Sequence, residues 1–228
     1  YAMADGVACT FRKEYYDALQ RYFWLEYQCE TALGDEFRTA LKEALSENLD
    51  MANIDDYERP FINWMMSRGK NLLGIEVTEE AARRGHKTSV QIAMKETDML
   101  TYQAMESLIH NLNTMNSRAG AQVPFSSINY GTCTRPEARM AIRNLLNATY
   151  KGLGTGETAF FPVQIFKVKD GINFQPGDPN YDLFRLAIKT SAKRLFPNFS
   201  FIDAPFNLQY YKEGDYNTEV GYMGCRTR

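Results

Sequence analysis

FFPVQIFKV, residues 160–168, is a run of aromatic and β-branched side chains with Pro162 near its start and a single charge, Lys167, near its end. A segment this apolar on both faces predicts a strand buried inside a parallel sheet rather than one half open to water. The sequence on either side agrees. Residues 136–149 read as a helix that Thr134 caps, Pro136 opens and Glu137 favours through its negative charge at the N-terminus. Asp182 to Leu195 reads as a second helix, with Pro197 just beyond it. Gln122 to Tyr130 is a short strand candidate, and Phe199–Ile202 and Thr218–Met223 are weaker ones. Strand, helix, strand, helix, strand is an α/β order that favours parallel pairing. Gly152–Thr158, GLGTGET, has the look of a phosphate loop, but Glu157 stands where the phosphate-binding lysine belongs, so the stretch reads as a turn between helix and strand.

Before residue 116 the pattern is helical. Glu14–Leu33 is dense in aromatics and Leu (Tyr15, Leu19, Tyr22, Phe23), with Gly34 placed as a C-cap. Asp35 stands where it would cap a helix over Phe37–Leu49. Pro60 marks a further helix start, with Phe61, Met65 and Met66 as its expected buried face. Thr88–Met115 carries the strongest helical spacing, through Met94, Thr101, Met105, Leu108, Leu112 and Met115. A stripe of this kind is a packing face, within the chain or against another subunit. The expected division is a helical region over 1–116 and an α/β region over 117–228.

Composition narrows the function. The 228 residues are 44% hydrophobic and 13% aromatic, which predicts a folded core and not a disordered chain. A formal net charge of −2 argues against bulk nucleic-acid binding. No apolar run approaches the roughly 20 residues of a membrane span. No basic, apolar leader opens the sequence, and the chain starts at Tyr1 without Met, so it reads as a cytoplasmic piece of something longer. Cys9, Cys29, Cys133 and Cys225 are widely spaced, without a C-x-x-C pair, and His86 and His110 are the only histidines; no metal site is expected within the chain. His110, beside Ile109 and Leu112, reads as a structural or capping residue.

The sequence closes on MGCRTR, residues 223–228. Gly224 permits a tight backbone before Cys225, and Arg226 and Arg228 would favour a thiolate or an anionic substrate. Three further stretches accompany it: SRAGAQVPFSSINYGT (117–132), FPVQIFKVKDG (161–171) and GDPNYDL (177–183). In this order, and ending on Met-Gly-Cys-Arg, they resemble the anaerobic, glycyl-radical (class III) ribonucleoside-triphosphate reductases, closely from about His110 onward and more loosely before it.

The resemblance implies part of a ten-stranded α/β barrel built from two half-barrels, here the first, with a loop through the barrel that carries the active cysteine at its tip. Cys225 would be that thiyl-radical position, and Thr218–Arg228 the rising arm. The helices before residue 116 would match the dimerisation region where allosteric deoxynucleotides and ATP bind. Expected partners are a ribonucleoside triphosphate, a second copy of the chain, and a radical-generating activase with S-adenosylmethionine and an iron–sulfur cluster. The glycyl radical and a cysteine-bound structural zinc would belong to a C-terminal segment beyond this sequence, so the isolated chain is expected to be inactive. Formate or a small thiol protein would be the reductant.

The chemistry suits a cysteine. A ribose C–H bond is too weakly acidic for an ordinary base, whereas a thiol S–H bond is close to it in strength, so a sulfur radical exchanges hydrogen with it nearly in balance. The sulfur must touch the ribose in a site closed to water. For the substrate, alternation along Val123–Tyr130 sets Phe125, Ser127 and Asn129 on one face. Ser127 and Asn129 line a nucleotide pocket or are packing residues of a strand; both readings stay open. Gly131 and Thr132 before the helix at Pro136 form a phosphate cradle or an ordinary cap. Cys133 reads as incidental. Two rival functions remain at this stage: another glycyl-radical enzyme of the pyruvate formate-lyase type, and a non-catalytic nucleotide-binding or dimerisation module.

Overall fold

The computed structural model describes residues 1–45, 48–115, 123 and 125–224. The chain forms two compact units, Tyr1–Leu100 and Thr101–Arg228.

The first unit is helical: α1 (Ala2–Tyr27), α2 (Asp35–Ala44), α3 (Glu58–Leu73) and the beginning of α4 (Glu79–Thr114). Phe11, Tyr15, Leu19 and Phe23 recur every fourth residue, so they share one face of α1, and all are fully buried. Phe23 meets Phe37 of α2 and Phe61 of α3 at ring distances of 6.2 and 6.5 Å. Gly85 of α4 allows the close approach of α1, since a Cβ there would stand 3.0 Å from the Tyr22 ring.

Several expectations change in this unit: Gly34, not Asp35, is the N-cap of α2, which ends at Ala44 short of Leu49, and α4 starts at Glu79, ahead of Thr88. α1 starts at Ala2, well before Glu14, because Ala4, Val7, Ala8 and Phe11 carry the buried stripe upstream. It stops at Tyr27, with Gln28 left-handed, and Gly34 instead closes a 3-10 turn at Glu30–Leu33. Met66 is 52% exposed while Phe61 and Met65 are buried, because a residue five on from Phe61 is rotated off the face that its fourth neighbour shares.

The second unit holds a three-stranded parallel sheet in the order β1 (Ser127–Tyr130), β2 (Val163–Val168), β3 (Asn198–Phe201). Helix α5 (Pro136–Lys151) joins β1 to β2 and α6 (Tyr181–Arg194) joins β2 to β3. This is the α/β order read from the sequence, with β2 buried at the centre. Tyr130, Phe166 and Phe199 lie side by side in register. Their rings are 5.6 and 6.0 Å apart, and Phe184 of α6 closes over them at 6.1 Å from Phe166. Tyr130 donates to Gln164 (2.7 Å), and Gln164 donates to Thr149 of α5 (2.8 Å), so this face of the sheet is covered by α5 and α6.

The C-terminal end of α5 is secured by a side chain that the sequence does not single out. Arg135, not Thr134, is the N-cap of α5, without a side-chain cap bond; Pro136 opens the helix as expected. At the C-terminus of α5, the guanidinium of Arg194 donates to the carbonyls of Tyr150 (2.9 Å), Lys151 (2.6 Å) and Gly156 (2.6 Å). Those carbonyls have no helical partner of their own, and the cation also meets the negative end of the helix dipole. Gly152–Thr158 is thus a capped turn, as its Glu157 implies.

Thr218–Met223 is not a strand of this sheet. Tyr216–Thr218 forms a 3-10 turn, Glu219 after it is extended, and the chain continues without regular structure to a bridge at Met223 and a turn at Gly224. Met223 takes part in a single β-bridge, and side-chain hydrogen bonds from the sheet hold the segment at Glu219, Tyr222 and Gly224. Among the described residues no helix is long and apolar enough to cross a membrane.

Candidate functional site: the arm leading to Cys225

Period-two alternation sends Ser127 and Asn129 of β1 to the face opposite the aromatic row. Register adds Lys167 of β2 and Ser200 of β3 to that face. These four polar side chains receive the segment Glu219–Gly224, here called the arm. Asn129 grips it with both ends of its amide: Nδ2 donates to the Tyr222 carbonyl (2.8 Å) and Oδ1 accepts from the Tyr222 N–H (2.9 Å). Ser127 Oγ accepts from the Gly224 N–H at 3.1 Å. Ser200 donates to the Tyr222 hydroxyl at 2.8 Å.

At the start of the arm, Glu219 Oε2 accepts from Lys167 Nζ (3.1 Å) and from Thr132 Oγ1 (2.8 Å). The pair is buried, with side-chain exposures of 12% for Lys167 and 5% for Glu219. At the far end, Gly224 is left-handed (φ 62°), and a Cβ on it would lie 2.9 Å from the Phe125 ring. The close-fitting turn expected before the cysteine is therefore present. Cys225, Arg226 and Arg228 lie outside the described residues.

Gly131 serves close packing. Its φ is 129°, and a Cβ would meet the Lys167 carbonyl oxygen at 2.5 Å. Its own carbonyl accepts from two buried amides, Asn173 and Asn180, each at 3.1 Å. Asn173 also donates to the Lys167 carbonyl (2.9 Å), and Asn180 to that of Cys133 (2.9 Å). The stretch around Asn180 thereby ties the start of α6 to the turn after β1. Glu137, fully buried in the first turn of α5, sets its carboxyl 3.6 Å from Arg135 Nε, so a phosphate at this helix N-terminus would face a carboxyl already in place.

Sequence reasoning thus places Ser127, Asn129, Gly131 and Thr132 in one neighbourhood, and the structure brings them together around the arm and its supporting turn. It missed Lys167, Ser200, Glu219 and Tyr222. One signal was available: a lysine in an otherwise apolar strand needs an anionic partner, and Glu219 is the acid nearest before Cys225.

The remaining titratable candidates have structural surroundings. Cys9, Cys29 and Cys133 are free thiols, Cys133 buried and Cys29 bonded to Thr31 and the Leu73 carbonyl. His110 contacts Thr114 one turn on, at 3.3 Å. His86 is buried, with Nδ1 2.7 Å from the Tyr15 hydroxyl, and its burial lowers its pKa. Burial pushes the Tyr130 hydroxyl well above the ordinary range, leaving it a neutral donor. Among the described residues no group of three His, Cys, Asp or Glu could hold a metal ion.

The described residues thus form a parallel α/β unit whose polar face receives the segment that leads, in sequence, to Cys225. Comparison with known proteins supplies the family. Residues 39–228 match the family model for anaerobic ribonucleoside-triphosphate reductase, and the chain belongs to that family of oxidoreductases. Over 127 residues it is 35% identical to the anaerobic ribonucleoside-triphosphate reductase of Escherichia coli (strain K12), covering 55% of this chain and 17% of that protein. It is 30% identical over 177 residues to the reductase of Enterobacteria phage T4, covering 77% of this chain and 27% of the phage protein. The chain therefore spans between about a sixth and a quarter of the length of these relatives.

Proposed function

We propose that this chain supplies the thiyl-radical centre of an anaerobic ribonucleoside-triphosphate reductase, with Cys225 as the catalytic residue. The observation that carries the proposal is the arm: six residues before and including Gly224 are held against the polar face of the sheet, and the next residue is the cysteine. In the reaction, a sulfur radical at Cys225 takes a hydrogen atom from a ribose carbon. The S–H bond forms, the C–H bond breaks and the unpaired electron moves to carbon. The hydroxyl on the neighbouring carbon then takes a proton and leaves as water, an external donor (formate or a dithiol protein) supplies two electrons and a proton to the ribose, and Cys225 returns the hydrogen atom and is a radical again. A glycyl radical from another segment, installed by an activase with an iron–sulfur cluster and S-adenosylmethionine, would generate the sulfur radical.

In this reading Ser127, Asn129, Gly131 and Thr132 act on the nucleotide through the placement of the arm and its turn. The three-stranded sheet is the beginning of a ten-stranded barrel, with 117–228 as its share and 1–116 as the helical region for dimerisation and for ATP or deoxynucleotide effectors. The complete enzyme would work in the cytoplasm as a homodimer.

The test uses the full-length reductase carrying this sequence, charged by its activase. Cys225→Ser should abolish deoxynucleotide formation while the glycyl radical, followed by electron paramagnetic resonance, still accumulates. Turnover by the Ser variant would reject Cys225 as the radical centre.

A further inference from the structure

We propose that Glu219 is a positioning residue for this reaction: its buried carboxylate, taken by Lys167 and Thr132, sets the register at which the arm crosses the sheet and so the place of Cys225. The inference rests on the reading of Cys225 as the radical centre. Consider which contacts can set register. Asn129 holds the backbone N–H and C=O of residue 222, and Ser127 holds the backbone N–H of residue 224. Such bonds accept any residue at those places, so they fix the arm's path without reading its sequence. Two contacts read the arm's side chains. One is the Tyr222 hydroxyl with Ser200 at 2.8 Å; the other is Glu219 with Lys167 and Thr132.

The charged contact discriminates more strongly. A slip by one residue would shift the arm by roughly 3.3 Å, the rise of one extended residue, and take the Glu219 carboxylate away from Lys167. It would put Thr218 or Val220 against Lys167 and leave a lysine with 12% side-chain exposure without its anion. Hydrogen transfer, for its part, needs the reacting atoms within about 3–3.5 Å, and a 1 Å error can cost about 10²-fold in rate. A carboxylate with 5% exposure is an expensive way to pack an arm. Apolar residues of similar volume would pack it as well, so the ion pair contributes register and not adhesion.

That distinction gives the experiment, on the activated full-length enzyme. Three variants are compared with wild type: Glu219→Gln, the apolar pair Lys167→Met with Glu219→Met, and the control Cys225→Ala. Readouts are glycyl-radical content, kcat, KM for the ribonucleoside triphosphate and Tm. The apolar pair should hold its Tm and radical content and leave KM within about twofold, while kcat falls about 10²-fold. Glu219→Gln should lower kcat in the same direction even where its Tm also falls. Wild-type kcat in the apolar pair would overturn the inference, since an adhesive role is fully met by two methionines. Failure of the parent reading looks different: Cys225→Ala would remain active, whatever the Glu219 variants do.

Discussion

Asn129→Ala should release the arm without unfolding the sheet. The side chain makes two hydrogen bonds to the backbone of residue 222, at 2.8 and 2.9 Å. Each such bond is worth about 1 kcal/mol net, so the variant loses about 2 kcal/mol of local stability. At about 1.4 kcal/mol per factor of ten, the arm should open about 30-fold more often. Amide hydrogen exchange reads this directly, because the Tyr222 N–H is protected by the Asn129 oxygen itself. Its exchange should accelerate about 30-fold, and that of Gly224 should follow if the arm opens as a unit. The Phe166 amide, in the central strand, should keep its wild-type rate. Asn129→Asp keeps the acceptor, loses the donor and sets an anion beside the Tyr222 carbonyl, so it should fall on the weak side as well. Unchanged Tyr222 exchange in the alanine variant would refute the claim that the Asn129 side chain holds the arm at residue 222. Equal acceleration at Phe166 would mean that the loss was global.

Other expected outcomes follow from particular contacts. Arg194→Ala removes three carbonyl contacts at the end of α5 and should cost about 3 kcal/mol, read as a lower urea midpoint by circular dichroism; Arg194→Lys should recover little, since one ammonium cannot span the three acceptors. Gly131→Ala should prevent the second unit from folding natively, because its Cβ would lie 2.5 Å from a backbone oxygen; a wild-type melt would contradict this. His86 titrates below its ordinary value, mainly through desolvation, so the unfolded chain binds the extra proton first; stability of the first unit should be complete above about pH 6.5 and fall as the pH drops below it. Trp24 and Trp64 both lie in that unit, so tryptophan emission during urea unfolding at several pH values follows it, and His86→Gln should flatten the dependence. Cys133→Ser in the complete enzyme should leave turnover largely intact, and total loss would show that this thiol takes part.

Much of the fold was legible because its signals are local. The apolar run at 160–168 announced a buried strand, which the structure narrows to Val163–Val168 with Phe160 left 73% exposed, and Pro136 and Pro197 punctuate the helices on either side. The N-terminal end of α1 was missed because AMADGVACT offers small side chains, whose burial depends on what they are packed against. Thr218–Met223 has β-branched and aromatic members like a strand. A segment held largely by side-chain hydrogen bonds has the same composition as a strand held by a ladder, so the distinction is absent from the sequence.

The candidate site divides along the same line. Alternation along β1 is a property of the backbone, so Ser127 and Asn129 could be assigned to one face from the sequence alone. MGCR marked the cysteine, and the order of four motifs marked the family. What those side chains hold could not be read, because Asn129 and Tyr222 meet across 93 residues and Thr132 and Glu219 across 87. Contacts at that separation are made by the register of three parallel strands and the turn that Asn173 and Asn180 lock. The sequence by itself determined which residues are polar, which strand is buried and where the cysteine stands. Only the tertiary structure decided that the polar row is occupied by the chain's own arm, since it takes the folded sheet to bring a lysine without a local partner to the carboxylate that neutralises it.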